Sequence, residues 1–595
     1  MKKIGRYTRW STLSLSLIFV ALSVGAIAFA ANEWPQWMKD PQHTGQINVN
    51  GQNLNQNLVD IVYDPTAPLE KAIAEEVFGE EDLLLHYQVP LVDGNDVYME
   101  FKSGQPRADT FSHLIWSENK LSWQGNNLVQ QWSFTSDWKA PGSYFDFWQP
   151  VFHPALANGS LYVPGAGGTV YRVNKSNGSV IAQISPFTSN NQQRYTISPI
   201  SVDSSGNVYY NVIQLQGVDQ GFYNNDSVDS WLVKVDANNN ASKVSYSTLT
   251  PGTPGPNDLC EVSFSPDQLP WPPSPTAVAP TVRCGPMRVA VNIAVAIAGN
   301  GTIYTVARSH APAANRSAYL IAVNPNLSLK WIQSLNNRFN DGCGVPISQG
   351  GVLAPNGQPN GCRVGANYGV DPGVNHAGGG RVLDDGTSSP TIAPDGSILF
   401  GAYTRYNYAQ GHLMRFSSTG QYLGAYRFGW DITPGIYTHN GSYSVVIKDN
   451  QYGGVGSYCN DETICPSDRT AANTGGYPEG YFVTQLNPNM GVEWRFQNTN
   501  TFACARQPDG SVTCDDGTSN PNGFEWCVNG PVIDKKGVVY ANSEDGNLFA
   551  INQGGTLKQK IFQQLAIGAA YTPASMDGSG RIYSQNDGHL FVVGN

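Results

Sequence analysis

The stretch NGPVIDKKGVVYANSEDGNLFAINQGGTLKQKIF, residues 529–562, packs several short strands between glycine turns. An apolar strand (PVI) is followed by a turn with Asp and Gly, a strand ending in Tyr540, a second Gly turn, and two more strands. Asp or Asn with Gly supplies the positive φ that tight hairpins need, and apolar or alternating strands suit sheets packed face to face. The same pattern recurs along the chain. Copies begin at Val89, Pro150, Ser198, Val291, Ser389, Thr433 and Tyr571, which with this one makes eight units. Tyr162 and Tyr209 stand 47 residues apart, and Tyr540 and Tyr583 stand 43 apart. A period of that length with four short strands is the mark of a β-propeller blade. The expected fold is all-β: an eight-bladed propeller of four-stranded antiparallel blades.

The last unit runs out at Val593 with three strands written, so a fourth has to come from elsewhere. NLVDIVYDP, residues 57–65, has the character of an outer strand and precedes the first complete unit. It is expected to close the ring and remove an exposed sheet edge. Residues 64–84 hold the one convincing helical stretch, an insertion rich in Ala and Glu.

The chain has 595 residues, 14% of them charged, with a formal charge of −11, 63 Gly and 38 Pro. This composition excludes a coiled coil and a basic nucleic-acid-binding domain. Residues 1–30 put Lys2, Lys3, Arg6 and Arg9 before an apolar run ending in Ala28-Phe29-Ala30. They read as a secretory signal peptide, with an uncleaved N-terminal anchor as the alternative. Its loss takes the charge to −15, because it carries four cations and no acid. Nucleic acid and anionic lipid are therefore not expected partners. The mature chain, 31–595, reads as one propeller domain of an exported protein, periplasmic, cell-surface or extracellular.

Nine cysteines in such a protein point to disulfides. Pairing of neighbours joins Cys260 to Cys284, Cys343 to Cys362, Cys459 to Cys465 and Cys504 to Cys514, leaving Cys527 as a buried thiol. Most of these lie in Gly/Pro/Asn-rich insertions at 216–230, 250–288, 336–381 and 450–480, which read as a stapled crown of rim loops.

The segment EWPQWMKDPQHTGQ, residues 33–46, followed by NLVDIVYD, resembles the entry segment of the pyrroloquinoline-quinone-like (PQQ-like) propeller superfamily. The resemblance extends over nearly the whole mature chain. It implies eight blades, and it spans quinoprotein alcohol dehydrogenases, which use PQQ and Ca²⁺, and non-enzymatic scaffolds. The dehydrogenase pattern is incomplete here. No two cysteines are adjacent, and the inter-blade docking motif survives only as VNKSNGSVIAQ (173), VNPNLSLKW (323), FSSTGQYLGAY (416) and LNPNMGVEW (486), with Trp331 and Trp494 at the docking position.

Loops entering the inner strands converge on the axial mouth, where function is expected. The richest is HAGGGRVLDDGTSSP, residues 376–390. On this reading Asp384 or Asp385 acts as general base or Ca²⁺ ligand, Arg381 and His376 hold a ligand, and Glu525 with Asn529 completes a metal site. Trp430, Tyr437, Trp526 and Tyr571 form an aromatic platform for a planar ligand or sugar. The favoured reading is a binding or scaffold protein that recognises a protein, small-molecule or sugar ligand at the mouth and rim. The alternative is a divergent PQQ- and Ca²⁺-dependent dehydrogenase acting on an alcohol or sugar.

Overall fold

The computed structural model describes residues 33–595 except 80–84, 147–148, 218–220, 266–267, 269–270, 340–342, 344–362, 364–365, 385, 387, 404–410, 429–431, 452–479, 508, 527–528 and 566–572. The signal segment therefore lies outside the described residues, as do Asp385, Trp430, Tyr571, Cys362, Cys459, Cys465 and Cys527.

Eight antiparallel sheets follow one another in chain order. Blade 1 is Leu91–Asp93, Asp96–Gly104, Leu114–Gln124 and Asn127–Thr135, and blade 7 is Val532–Ile533, Val539–Asn542, Asn547–Asn552 and Thr556–Phe562. From inner to outer strand, blade 2 runs from Ala155–Ala157 to Val180–Ile184, blade 3 from Arg194–Thr196 to Ala241–Ser245 and blade 4 from Met287–Val289 to Leu329–Ser334. Blade 5 runs from Thr391–Ile392 to Tyr422–Phe428 and blade 6 from Gly435–His439 to Val492–Gln497, while blade 8 begins at Ser575–Met576. Blades 3 and 4 split the inner strand into two pieces, so that each counts five strands. Gln56–Val62 pairs antiparallel with His589–Gly594 as the outer strand of blade 8. The ring is thus closed by the segment read as its fourth strand. The expected helix is Ala67–Phe78, ended by Gly79 at φ +77°. It buries Ala67, Glu70, Ile73 and Ala74, a spacing of three and four residues that keeps one face inward.

Neighbouring blades are pinned by tryptophans on outer strands. Trp331 Nε1 donates to Ser418 O of the next blade at 3.0 Å, and Trp132 Nε1 donates to Lys175 O at 3.0 Å. A Cβ on Gly420 would lie 2.9 Å from Trp331, and one on Gly178 2.9 Å from Trp132. Only glycine lets the indole seat there. Trp494 packs over Gly555, where a Cβ would lie 3.2 Å from its ring, but its Nε1 makes no hydrogen bond. The docking role expected of Trp331 and Trp494 is therefore shared by Trp132, which the motif did not single out.

The inward edge of every inner strand would be left unpaired were it not for the segment carrying the family resemblance. Residues 34–52 run round the hairpin end of the axis and hydrogen-bond to all eight blades in order. Trp34 exchanges backbone bonds with Val92 of blade 1, and Pro35 O accepts from Leu156 of blade 2. The Gln36 side chain brackets Val202 of blade 3 at 2.6 and 3.0 Å. Pro41, Gln42, Thr44 and Gly45 carbonyls then accept from Ile297, Ile392, Ile436 and Ile533 of blades 4 to 7, and Gln52 N reaches Gly580 O of blade 8. One strand-like belt satisfies eight sheet edges.

Candidate functional site

The connectors between an outer strand and the next inner strand meet at the end of the axis opposite the hairpins. Asn292 stands at their centre, fully buried and at φ +65°, a conformation Asn tolerates better than most residues. Its backbone N–H donates to Ile197 O at 2.8 Å, and its side-chain oxygen accepts from Val151 N at 2.9 Å. Its Nδ2 lies 3.2 Å from His86 Nδ1 and 3.5 Å from Asp384 O. One asparagine, through its backbone N–H to blade 3 and its side-chain amide to blades 1, 2 and 5, thereby ties four connectors to that of blade 4.

Asp384 completes this knot. Arg288 grips it with two guanidinium nitrogens, at 2.8 and 2.5 Å, and Arg308 stands 3.2 Å away. Tyr223 donates to it at 2.7 Å and Val291 N at 3.1 Å. Burial alone would raise its carboxyl, but the two guanidiniums hold it well below the usual carboxylate range. Arg288 also caps the Phe222 ring at 4.9 Å and donates to His310 Nδ1. Burial and the Arg288 charge push His310 down to about 3, so it stays neutral.

Further down the axis the space is taken by the belt. Trp37 meets His153 edge-on at 5.6 Å and packs with Met38 and Ala294. A Cβ on Gly530 would lie 2.0 Å from the Met38 sulfur. Burial draws both His43 and His153 down to about 4. Their Nδ1 atoms face the carbonyls of Pro390 and Pro154, which fixes the Nδ1–H tautomer of each neutral ring.

The remaining residues expected at the mouth do not assemble into one site. His376 is on the crown, with Nε2 2.8 Å from Glu261 beside the Cys260–Cys284 staple. Arg381 Nε donates to Asn315 at 3.0 Å. Tyr437 stacks on His439 at 4.7 Å and lies over Gly537, at the hairpin end of its blade. Trp526 is buried between blades 6 and 7, edge-on to Phe549 at 4.9 Å, so its ring is core packing and presents no face to a ligand. Glu525 reaches the Asn450 amide at 3.4 Å. Asn529 is fully buried with neither side-chain atom hydrogen-bonded. Among the described residues, no group of three or more His, Cys, Asp or Glu has metal-holding geometry. Of the expected disulfides, Cys260–Cys284 and Cys504–Cys514 are formed, and Cys343 is also disulfide-bonded.

A second acidic network, unforeseen in the sequence, lies in blade 1. Glu100 and Glu118 face each other across adjacent strands. Gln88 donates from its backbone to Glu100 and from its amide to Glu118, both at 3.1 Å, and the second oxygen of each carboxyl is buried without a partner. Burial pushes Glu100 up to about 8 and Glu118 well above its ordinary value. Beside them, fully buried Lys102 pairs with Asp64 at 2.7 Å and Glu70 at 2.9 Å.

Neither a protein-family model nor a curated protein matches the chain. Solved structures similar to it include a europium-containing methanol dehydrogenase (11% identity, TM-score 0.46, covering 93% of this chain and 89% of that one). Another is the quinohemoprotein alcohol dehydrogenase of Comamonas testosteroni (11%, 0.48, 96% and 82%). A third is BamB of Moraxella catarrhalis (11%, 0.34, 84% and 98%). At such identities and scores these likenesses say nothing of what the chain does. Eight antiparallel blades, the last completed by the N-terminal strand Gln56–Val62, make the fold an eight-bladed β-propeller.

Proposed function

We propose that this chain is an exported propeller that works by binding, as a recognition or scaffold protein, and not as a quinone-dependent dehydrogenase. The observation that carries this reading is the occupancy of the axis by the chain's own side chains. PQQ needs a flat chamber with an aromatic face and a Ca²⁺ ion held by oxygens. The described residues do not fit that group. Asp384 is engaged by two arginines, whose charge opposes a cation, and it is too weak a base to take an alcohol proton near neutrality. Trp526 has no free face, and Met38 and Asn292 fill the lumen. Asn529 alone, among the expected ligands, keeps an unengaged buried amide.

Binding is better supported at the rim, where the crown loops carry disulfides suited to an oxidising compartment. Staples lower the entropy cost of presenting a loop to a partner. The protein purified from its exported fraction tests the reading by calorimetry with PQQ and Ca²⁺ and by dye-linked alcohol oxidation. No saturable heat and no turnover are expected; alcohol-dependent dye reduction would overturn the proposal. N-terminal sequencing of the same sample is expected to begin just after Ala30.

A further inference from the structure

A pocket of about 160 Å³ opens on the connector side, away from the axis, between blades 1 and 2 and the start of blade 3. Lys139 enters it from the connector after blade 1, and Arg194 from the first strand of blade 3, Arg194–Thr196. Thr110 and Ser112 come from a loop of blade 1, with Trp138 and Gln192 completing the polar part of the wall.

Among the described residues, neither cation has a counter-charge. Lys139 Nζ donates to Leu114 O at 2.6 Å and forms no ion pair among the described residues. Arg194 is stacked on Phe187 at 4.1 Å, with Nε held by Gln214 at 2.9 Å and one Nη by Ser189 O at 2.7 Å. Its other Nη has no hydrogen bond to the described residues. The nearby acid, Asp137, is turned onto Ala166 N and Tyr171 OH, both at 2.9 Å. Burial with no acid to offset it lowers both Lys139 and Arg194 from their ordinary values. In a chain of charge −11, two cations held by neutral carbonyls at one cavity are unusual. Their partial desolvation is compensated only when an anion arrives, and a guanidinium fixed by stacking is preorganised for a carboxylate.

We propose that this pocket binds a hydroxylated carboxylic acid the size of one sugar residue, of the uronic acid type. The carboxylate sits between Lys139 and Arg194, and the ring hydroxyls meet Thr110, Ser112 and Gln192. The assignment does not depend on how the axis is read, because no residue is shared with the knot around Asp384.

The test is calorimetry of the intact protein with glucuronate, with glucose as the neutral ligand of the same shape and with inorganic sulfate as the anion without a ring. Glucuronate is expected to bind at least roughly tenfold more tightly than either control, and to weaken as salt rises. Arg194→Gln and Lys139→Gln are each expected to lose roughly tenfold or more for glucuronate. Both side chains are partly exposed, so thermal unfolding is expected to stay within a degree or two of the parent, which separates lost binding from lost fold. Equal binding of glucose and glucuronate, sulfate binding as tight as glucuronate, absence of glucuronate binding, or unchanged affinity in both variants would each overturn the proposal.

Discussion

Two buried acidic sites lie near the connector end of this propeller, and they solve the same problem in opposite ways. Asp384 is an anion gripped by Arg288, Arg308 and Tyr223. Glu100 and Glu118 face each other with one Gln amide between them and no arginine, and burial drives both toward the neutral acid. Depth is the same in the two places. What differs is whether a cation bonds the carboxyl directly. Lys102, on the same strand as Glu100, lowers the Glu100 pKa but is paired with Asp64 and Glu70, so burial prevails there, whereas Arg288 and Arg308 hold Asp384 as an ion.

Asp384→Asn is the largest expected break in this contrast. It strands two buried guanidiniums at the centre of the connectors and is expected to cost about 3–5 kcal/mol in denaturant unfolding. A cost under about 1 kcal/mol would mean that the knot is not structural. Glu100→Gln comes next, and its sign depends on pH. The folded pKa of about 8 lies above the ordinary 4.5, so the fold binds the proton more tightly than the unfolded chain does. Stability is then lost as pH rises from about 4.5 to about 8, by roughly 1.4 kcal/mol per unit at most. Gln mimics the protonated acid, so the variant is expected to match the parent near pH 5 and to exceed its stability near pH 8. Asp384 has the reverse dependence: its contribution is complete above the ordinary 3.8 and declines only in stronger acid. Parallel pH profiles for the two variants would erase the distinction.

How much of this was legible depends on the range of the interaction. The blades were readable because each is a local repeat, and ring closure was readable because a three-stranded remainder demands a partner. The staples Cys260–Cys284 and Cys504–Cys514 join sequence neighbours, which is why simple pairing found them. The axis was not readable. Asp384 stood out as a mouth carboxylate, but Arg288 and Arg308 lie on earlier strands, and nothing in HAGGGRVLDDGTSSP announces them. Trp526 lies in a connector, where sequence alone points it at a ligand, whereas packing between blades buries it against Phe549. The course of the belt has no signature in EWPQWMKDPQHTGQ, since single bonds and bond pairs to eight distant blades leave no periodic trace. Glu100 and Lys102 did leave a signal: charges within VYMEFK, a strand otherwise apolar on both faces, mark a buried polar site.

The crown supplies a third acid with which to sharpen the comparison, because there water replaces both the arginines and the apolar surroundings. Glu261 pairs with His376 at 2.8 Å, and both side chains are more than a third exposed. The hydrogen bond that His376 Nε2 donates to the Glu261 carboxylate is the main reason that the His376 pKa is raised above 6.5. A raised pKa means that the pair stabilises fully below pH 6.5 and loses that contribution as pH climbs through the folded value. Exposure and solvent screening limit the effect, and the disulfide beside it already limits how far the loop can open. His376→Gln is expected to cost at most about 0.5 kcal/mol at pH 6, nothing at pH 9, and nothing at either pH in 1 M salt. Hydrogen exchange of the 259–261 and 281–283 hairpin reads it locally. A loss at pH 6 that persists in high salt would mean that His376 holds the crown by packing, and the series from bare buried acid to paired buried acid to exposed pair would lose its weakest member.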